Sequence, residues 1–445
     1  MNTRMRIRWG TTLLGALVMM GAYPGARAYS QAATVDSLTV EDAVRLVLSR
    51  NPSLREASDA IAIFKARMEQ SRTSFLPGAR GLLSYTRLGP VPSIDIPGFG
   101  SFQLYPANNY DFHAGVQQLI YDGKRTREAV NLSRSRVDIA TDSWELLKRD
   151  LGFQTAGLFY LILYLQENIR VEEEHIRVLN DHLLTAQKKL SAGTATELDV
   201  LNTQVRVVSA QNQKVDLENA LEKQILTLRR LGGLEEKAPL AFEGWFTYEP
   251  LSLEADALVR QGLEGRLEMR AVQNEIQAAG IQYDLAGTHN KPVISANLLF
   301  GTKNGFVPMI NKLRANFVAA VQADIPLFDR NMTRYLRAEA TANLKTLEDK
   351  KAEVEMMIRS EVLQAVSDVR ASEKKVQSVE INIVRANKAL EFAKARYEAG
   401  TTTNLDLLDT EEARTEAEFV KLQELYKFVL GRLELERATG KSLAD

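Results

Sequence analysis

There is no cysteine anywhere in the chain, which removes disulfides, thiol catalysis, cysteine metal sites and a lipidated cysteine behind an export signal. An excess of one charge is missing too. The 56 basic and 57 acidic residues leave a formal net charge of -1, which gives no basis for a nucleic-acid-binding face. Beyond the N-terminus no uncharged apolar run reaches the ~20 residues of a membrane-spanning helix. No Ser/His/Asp set or carboxylate pair is anchored by its neighbours, so neither an enzyme nor a bound cofactor is expected. Prolines are few, and Pro90, Pro92, Pro97 and Pro106 sit in one stretch, 87–109, which marks a surface loop.

What is present begins with a targeting pattern. Arg4, Arg6 and Arg8 precede an apolar run from Leu13 to Met20 and then Ala26-Arg27-Ala28, the small-x-small pattern of a signal peptidase site. Residues 1–28 are expected to be a signal peptide and the mature chain to begin at Tyr29. A short retained anchor is the competing reading, against which the length of the run counts.

The dominant feature is an internal duplication. Ser191 to Leu201 reads SAGTATELDVL and Glu398 to Leu408 reads EAGTTTNLDLL, about 207 positions later. The same offset lays Tyr121-Asp122 on Phe328-Asp329 and Gly233 on Gly440. Upstream the offset is about 215, matching Pro77 to Pro292, Arg55 to Arg270 and Ile61 to Ile276. Stretch 87–109 is longer than its counterpart around Asn304 to Lys312 and absorbs the difference. The organisation read from this is a first repeat over 29–233, an inter-repeat segment at 234–250 and a second repeat over 251–445.

Within each repeat the hydrophobic period changes twice. Opening helices are expected over roughly 39–72 and 252–288. The segments around the loops then alternate with period two, the signature of strands. Tyr110, Phe112, Ala114 and Val116 share one face against Asp111, His113, Gly115 and Gln117, and Leu313, Ala315, Phe317, Ala319 and Val321 face away from Arg314, Asn316, Gln322 and Asp324. Weaker alternation marks strands near Ala79 to Tyr85 and Val293 to Gly301. From Ile358 onward core positions step by four and three through Val362, Ala365, Val369, Ser372, Val376, Val379, Ile383, Ala386, Leu390, Ala393 and Tyr397. Subtracting the offset gives the same phase from Leu158 to Leu190. A sustained 3.5-residue period means coiled-coil packing, in helices over about 122–191 and 330–399 that each span roughly 105 Å at 1.5 Å per residue.

Helices of that length need a matching partner. Opening and closing helices stacked end to end would supply it, with turns at Gly193 and Gly400 at one tip and the strands at the other end. Four strands cannot close a membrane barrel, which starts at about eight, and an open sheet in lipid leaves backbone groups unpaired. Three copies about a three-fold axis would give twelve strands.

The duplicated A-G-T-x-T-x-L-D-x-L turn, the QLIYDG and IPLFDR strand-to-helix junctions and the opening LTVEDAVRLVLSRNPSLREA helix together resemble the TolC-like outer membrane efflux channels over essentially the whole mature length. The resemblance implies a mostly α protein with membrane β structure. Its long coiled-coil helices would form a helical barrel in the periplasm, and four strands per protomer would form a 12-stranded β-barrel in a homotrimer. It implies a Gram-negative outer membrane location and an exit duct for a periplasmic adaptor and an inner-membrane pump, in drug efflux, metal efflux or protein secretion. The contrasting class is a periplasmic coiled-coil adaptor or scaffold with a soluble sheet.

Residue by residue, the resemblance puts Gly193, Thr194, Gly400 and Thr401 at the adaptor-docking tip turns, Asp406 and Asp409 at the pore constriction, and Asp199 and Tyr397 at the closed-state latch. The best-known member has an arginine where Thr402 stands and a hydroxyl residue where Leu198 stands, so its full latch is not expected here. For Asp406 and Asp409 the other reading is an early-helix acid that complements the helix dipole. Trp245, Phe242, Phe246 and Tyr248 are expected to pack an equatorial belt. His175 and His182, seven apart, read as solvent-facing rather than as metal ligands. The terminal ATGKS lacks the glycine of a phosphate loop, with Leu435 in its place, and no strand precedes it.

Overall fold

The computed structural model describes residues 37–98, 100–235, 240–251 and 253–443. The signal-peptide expectation lies outside them. Helices α1 (Val40–Arg50) and α2 (Pro52–Thr73) lead into β1 (Gly78–Arg87), a hairpin of β2 (Ser93–Ile96) and β3 (Gly100–Gln103), and β4 (Asn108–Tyr121). The long α3 (Arg125–Ser191) and α4 (Glu197–Gly232) complete the first repeat. The second runs α5 (Ala255–Gly265), α6 (Leu267–Ala286), β5 (Val293–Lys303), β6 (Arg314–Asp324), α7 (Met332–Glu398) and α8 (Asn404–Ala438). At 67 residues each, α3 and α7 are about 100 Å long.

The expected opening helices are each broken into two. Asn51 precedes proline, takes an extended conformation (φ -60°, ψ 125°) and caps α2 through its side chain. Arg266 makes the matching break between α5 and α6 (φ -77°, ψ 134°). These breaks are where the closing helices arrive. The Asn51 side-chain amide donates to the Leu231 carbonyl (2.9 Å) near the end of α4. A side chain at Gly440 would meet the backbone of Gly265 and Arg266. End-to-end stacking therefore holds for α4 with α2 and for α8 with α6, while α1 and α5 turn aside and pack on α3 and α7.

The heptad positions are the core seams. Ile358, Val362, Ala365, Val369, Val376 and Val379 are buried, as are Leu158, Ile162, Leu165, Leu179 and Ala186 in the first repeat. At mid-length the repeats are joined by buried ion pairs. The Arg149 guanidinium donates to both oxygens of Glu268 (2.8 and 2.9 Å), and Arg266 donates to Glu268 and to Glu361 of α7. Arg270 reaches Asp142 (2.8 Å) and Glu145 on α3. Of the belt aromatics, Phe242 packs on Phe159, Phe246 on Tyr160 and Tyr248 on Phe428. Trp245 does not join them: it is 80% exposed, because its neighbours in sequence take the inward positions along this extended segment.

The four long strands form one antiparallel sheet, β1-β4-β5-β6, with open edges at β1 and β6. Stretch 87–109, expected as plain loop, carries the β2/β3 hairpin. The register aligns Leu83, Phe112, Thr302 and Ala315 across the sheet, then Gly81, Ala114, Phe300 and Phe317, then Ala79, Val116, Leu298 and Ala319. That face is almost wholly apolar, and along the central strands β4 and β5 it is the more open one. Tyr110, Phe112, Ala114 and Val116 are exposed, while Asp111, His113 and Gly115 between them are partly or wholly covered. A water-soluble sheet has the opposite arrangement. No helix of the described residues is long and apolar enough to cross a membrane.

Candidate functional site: the helical tip

At the end of the rod away from the sheet, two turns of the same design join α3 to α4 and α7 to α8. Gly193 and Gly400 adopt left-handed φ of 74° and 73°, where a side chain strains the backbone. Thr194 N–H closes back on Lys189 O (2.8 Å) and Thr401 N–H on Arg396 O (2.9 Å), each ending a helix with a Schellman turn. Space around both glycines is open. A capping box starts each following helix, Thr196 with Asp199 and Thr403 with Asp406.

Asp406 is thus bound into its own helix start. Its Oδ2 accepts from Thr403 Oγ1 (2.6 Å), Thr402 Oγ1 (2.9 Å) and Thr403 N–H (3.0 Å). Those hydrogen bonds, Thr403's first, hold its carboxyl below the usual aspartate range. The hydroxyl of Thr402 caps the acid. Asp409 lies one turn on and pairs with Arg206 of α4 (3.2 Å), which also contacts Glu412.

Asp199 and Tyr397 do not touch each other through their side chains. The Asp199 carboxylate accepts from Thr196 N–H (2.8 Å) and Thr196 Oγ1 (2.7 Å), while Tyr397 is buried and its hydroxyl donates to Asn404 Oδ1 (3.3 Å). What joins them is Asn404, whose amide nitrogen donates to the Asp199 main-chain carbonyl (3.2 Å). Lys189 covers the other side of Tyr397, with Nζ 3.9 Å from the ring centroid and 2.6 Å from the Tyr397 carbonyl.

His182 is the residue that the sequence reading misplaced. It is buried, with Nδ1 3.1 Å from Glu411 Oε2 and Nε2 2.9 Å from Asn404 Oδ1. His175 is largely covered as well and lies 3.6 Å from the buried Glu172. Both histidines flank the heptad seam, a position that is exposed on a two-helix coil but becomes internal when a second hairpin packs against the first. Among the described residues no group of His, Cys, Asp and Glu could hold a metal ion.

The sequence profile of a family described as outer membrane efflux protein matches residues 43–234 and 258–441. Among curated proteins, the alkaline protease secretion protein AprF of Pseudomonas aeruginosa is 24% identical over 68% of this chain, and the match spans 60% of AprF's length. The outer membrane protein TolC of Vibrio cholerae is 20% identical over 68% of this chain and 70% of its own. The pyoverdine export outer membrane protein OpmQ of Pseudomonas putida is 22% identical over 69% of this chain and 63% of its own. Two solved structures share the fold. The outer-membrane channel OprN superposes with a TM-score of 0.78 at 18% identity over 91% of both chains, and the Campylobacter jejuni CmeC outer membrane channel also gives 0.78, at 14% identity over 91% of this chain and 87% of CmeC.

Proposed function

Because the chain belongs to the outer membrane efflux protein family, we propose that it is a trimeric outer membrane channel, the exit duct of a tripartite efflux or type I secretion system. The observation that carries this reading is the inverted sheet. Its apolar face is open, its polar face is covered only along the central strands β4 and β5, and both edges are unpaired at the end of a rod about 100 Å long. Lipid is the solvent that stabilises such a face, and closure is what satisfies such edges. Four strands from each of three copies close a twelve-stranded barrel. A soluble periplasmic adaptor, the alternative, would leave the same apolar face in water.

The helical tip supports closure into a ring as well. Helices α3 and α8 pack together at the centre of the protomer, with α4 and α7 on its two flanks. On α4 the exposed Leu198, Leu201, Val205, Val208 and Val215 follow heptad spacing, and on α7 Ile381, Val384 and Phe392 are exposed. Two different apolar flanks make a heterologous contact, which closes into a ring when the rotation is right. The open turns at Gly193, Thr194, Gly400 and Thr401 then point into the periplasm, where an adaptor joined to an inner-membrane pump would seat. Asp406 and Asp409 would line the mouth. Fractionation with single-channel recording tests this: conducting trimers from outer membranes are expected, and a soluble monomer would overturn the reading.

The acids give a sharper expectation. Three-fold symmetry gathers about six carboxylates, and charges confined to a narrow passage act strongly on passing ions. The mouth should be cation-selective and blocked by trivalent cations from the periplasmic side. Asp406→Ala with Asp409→Ala should weaken that block by at least about tenfold, at roughly 1 kcal/mol per close charge pair in water. Asp406→Ala alone should act more strongly than Asp409→Ala alone, since Arg206 already neutralises Asp409. An unchanged block in the double variant would return both acids to the role of helix-start residues.

A further inference from the structure

The network around His182 draws on all four tip helices: His182 from α3, Thr203 and the Asp199 carbonyl from α4, Tyr397 from α7, and Asn404 with Glu411 from α8. Its proton count follows from its geometry. Thr203 donates its hydroxyl to the Asp199 carbonyl (2.8 Å), so its oxygen is left to accept from the Asn404 amide nitrogen (3.4 Å). That fixes the Asn404 oxygen toward the histidine. Nε2 of His182 therefore faces an acceptor, and Nδ1 faces the Glu411 carboxylate. A neutral imidazole carries one N–H and can satisfy one of these contacts; the imidazolium satisfies both. With both side chains only 3% exposed, water does not stand in for a missing proton.

We propose that the His182–Glu411 pair is a proton-operated pin, acting through Asn404 on Tyr397, which holds the α3/α4 hairpin against the α7/α8 hairpin and keeps the channel mouth closed. The inference rests on the channel reading above. Its sign follows from the contacts: with the proton present every member of the network is paired, and as pH rises the ring loses a donor. A ring lone pair is then left against a buried acceptor, a costly arrangement that parting of the hairpins relieves. The mouth is thus held at lower pH and loosens at higher pH. The neighbouring charges leave this intact. On α4 the Asp199 carboxylate is taken up by Thr196, and Arg206 is held by Asp409 and Glu412. On α7 the Tyr397 hydroxyl is kept protonated by burial and by the nearby Asp199 and Glu411 charges. On α3, Lys189 is bound to Tyr397, and Glu172 faces His175.

His182 is accordingly a positioning residue, and a pH profile separates this role from simple packing. Wild-type trimers in planar bilayers should show an open probability rising about tenfold from about pH 5 to about pH 8, as one charge-assisted hydrogen bond per protomer is lost. His182→Gln keeps a neutral side chain that can both donate and accept, and should conduct with a flat profile over that range. Glu411→Gln should be flat as well and serves as the second variant where His182→Gln does not assemble. A flat wild-type profile, or a wild-type profile retained in both variants, overturns the pin while leaving the channel in place. No current from any assembled trimer overturns the channel reading and the pin with it.

Discussion

Glu268→Ala should destabilise the protein by about 3–5 kcal/mol, the range for removing one partner from a buried ion pair. Glu268 bridges two arginines that have almost no other access to solvent, Arg149 on α3 and Arg266 between α5 and α6. Its loss leaves both guanidiniums leaning on Asp150 and Glu361 alone. The same link predicts acid sensitivity. Burial pushes the Glu268 carboxyl up, but hydrogen bonds from Arg149 and then Arg266 outweigh it and bring the pKa down to about 2. A depressed carboxylate contributes stability that is complete above its ordinary value of 4.5 and is lost as pH falls toward about 2. Converted at about 1.4 kcal/mol per pKa unit, the contribution is roughly 3 kcal/mol. Thermal unfolding followed by tryptophan emission reads this directly, because Trp144 packs on the adjoining core. Glu268→Gln, which keeps an acceptor but loses the charge, should fall between wild type and Glu268→Ala. Identical melting and acid midpoints for all three would show that the two arginines find other partners.

The repeat and the two periods make the helices, the sheet and the tip legible in the sequence, because each is a local rule summed over many residues. The heptad from Ile358 to Tyr397 is one such sum, and the alternation from Tyr110 to Val116 is another. Features set by a single residue or by contacts between the repeats were not legible. Asn51 breaks a helix because a proline follows it, yet Arg266 makes the same break with no proline, so only the arrival of α8 at Gly265 explains the symmetry. Trp245 is expected in the belt with Phe242, Phe246 and Tyr248, while the extended segment alternates its side chains and turns it out. The site was half legible in the same way. Asp199, Asp406 and the tip glycines stand in a duplicated motif. Asn404 and Glu411 are not repeated, since Glu197 and Gln204 occupy their duplicate positions, and His182 meets them across more than 220 residues.

Ala319→Arg should prevent assembly in the membrane, whereas Ala320→Arg should be tolerated, although the two positions are adjacent and both carry alanine. Ala319 stands at mid-strand in β6, opposite Leu298, which is opposite Val116, which is opposite Ala79, all on the apolar face. Ala320 stands opposite Asn297, which is opposite Gln117, on the face that also bears Asn316 and Gln322. With the loops at 87–109 and near Asn304 outside the cell, Tyr110, Phe112, Phe300 and Phe317 on the first face would meet lipid. An arginine near the bilayer midplane costs about 2–4 kcal/mol on a barrel's lipid face, and a trimer bears that cost three times over. On the lumen side the same guanidinium stays hydrated and changes only the charge of the pore. Heat-resistant trimer in the outer membrane fraction is the measurement, with wild-type levels expected for Ala320→Arg and little or none for Ala319→Arg. Equal yields would mean that the apolar face does not meet lipid, and the twelve-stranded barrel would lose the feature that selects it over a soluble sheet.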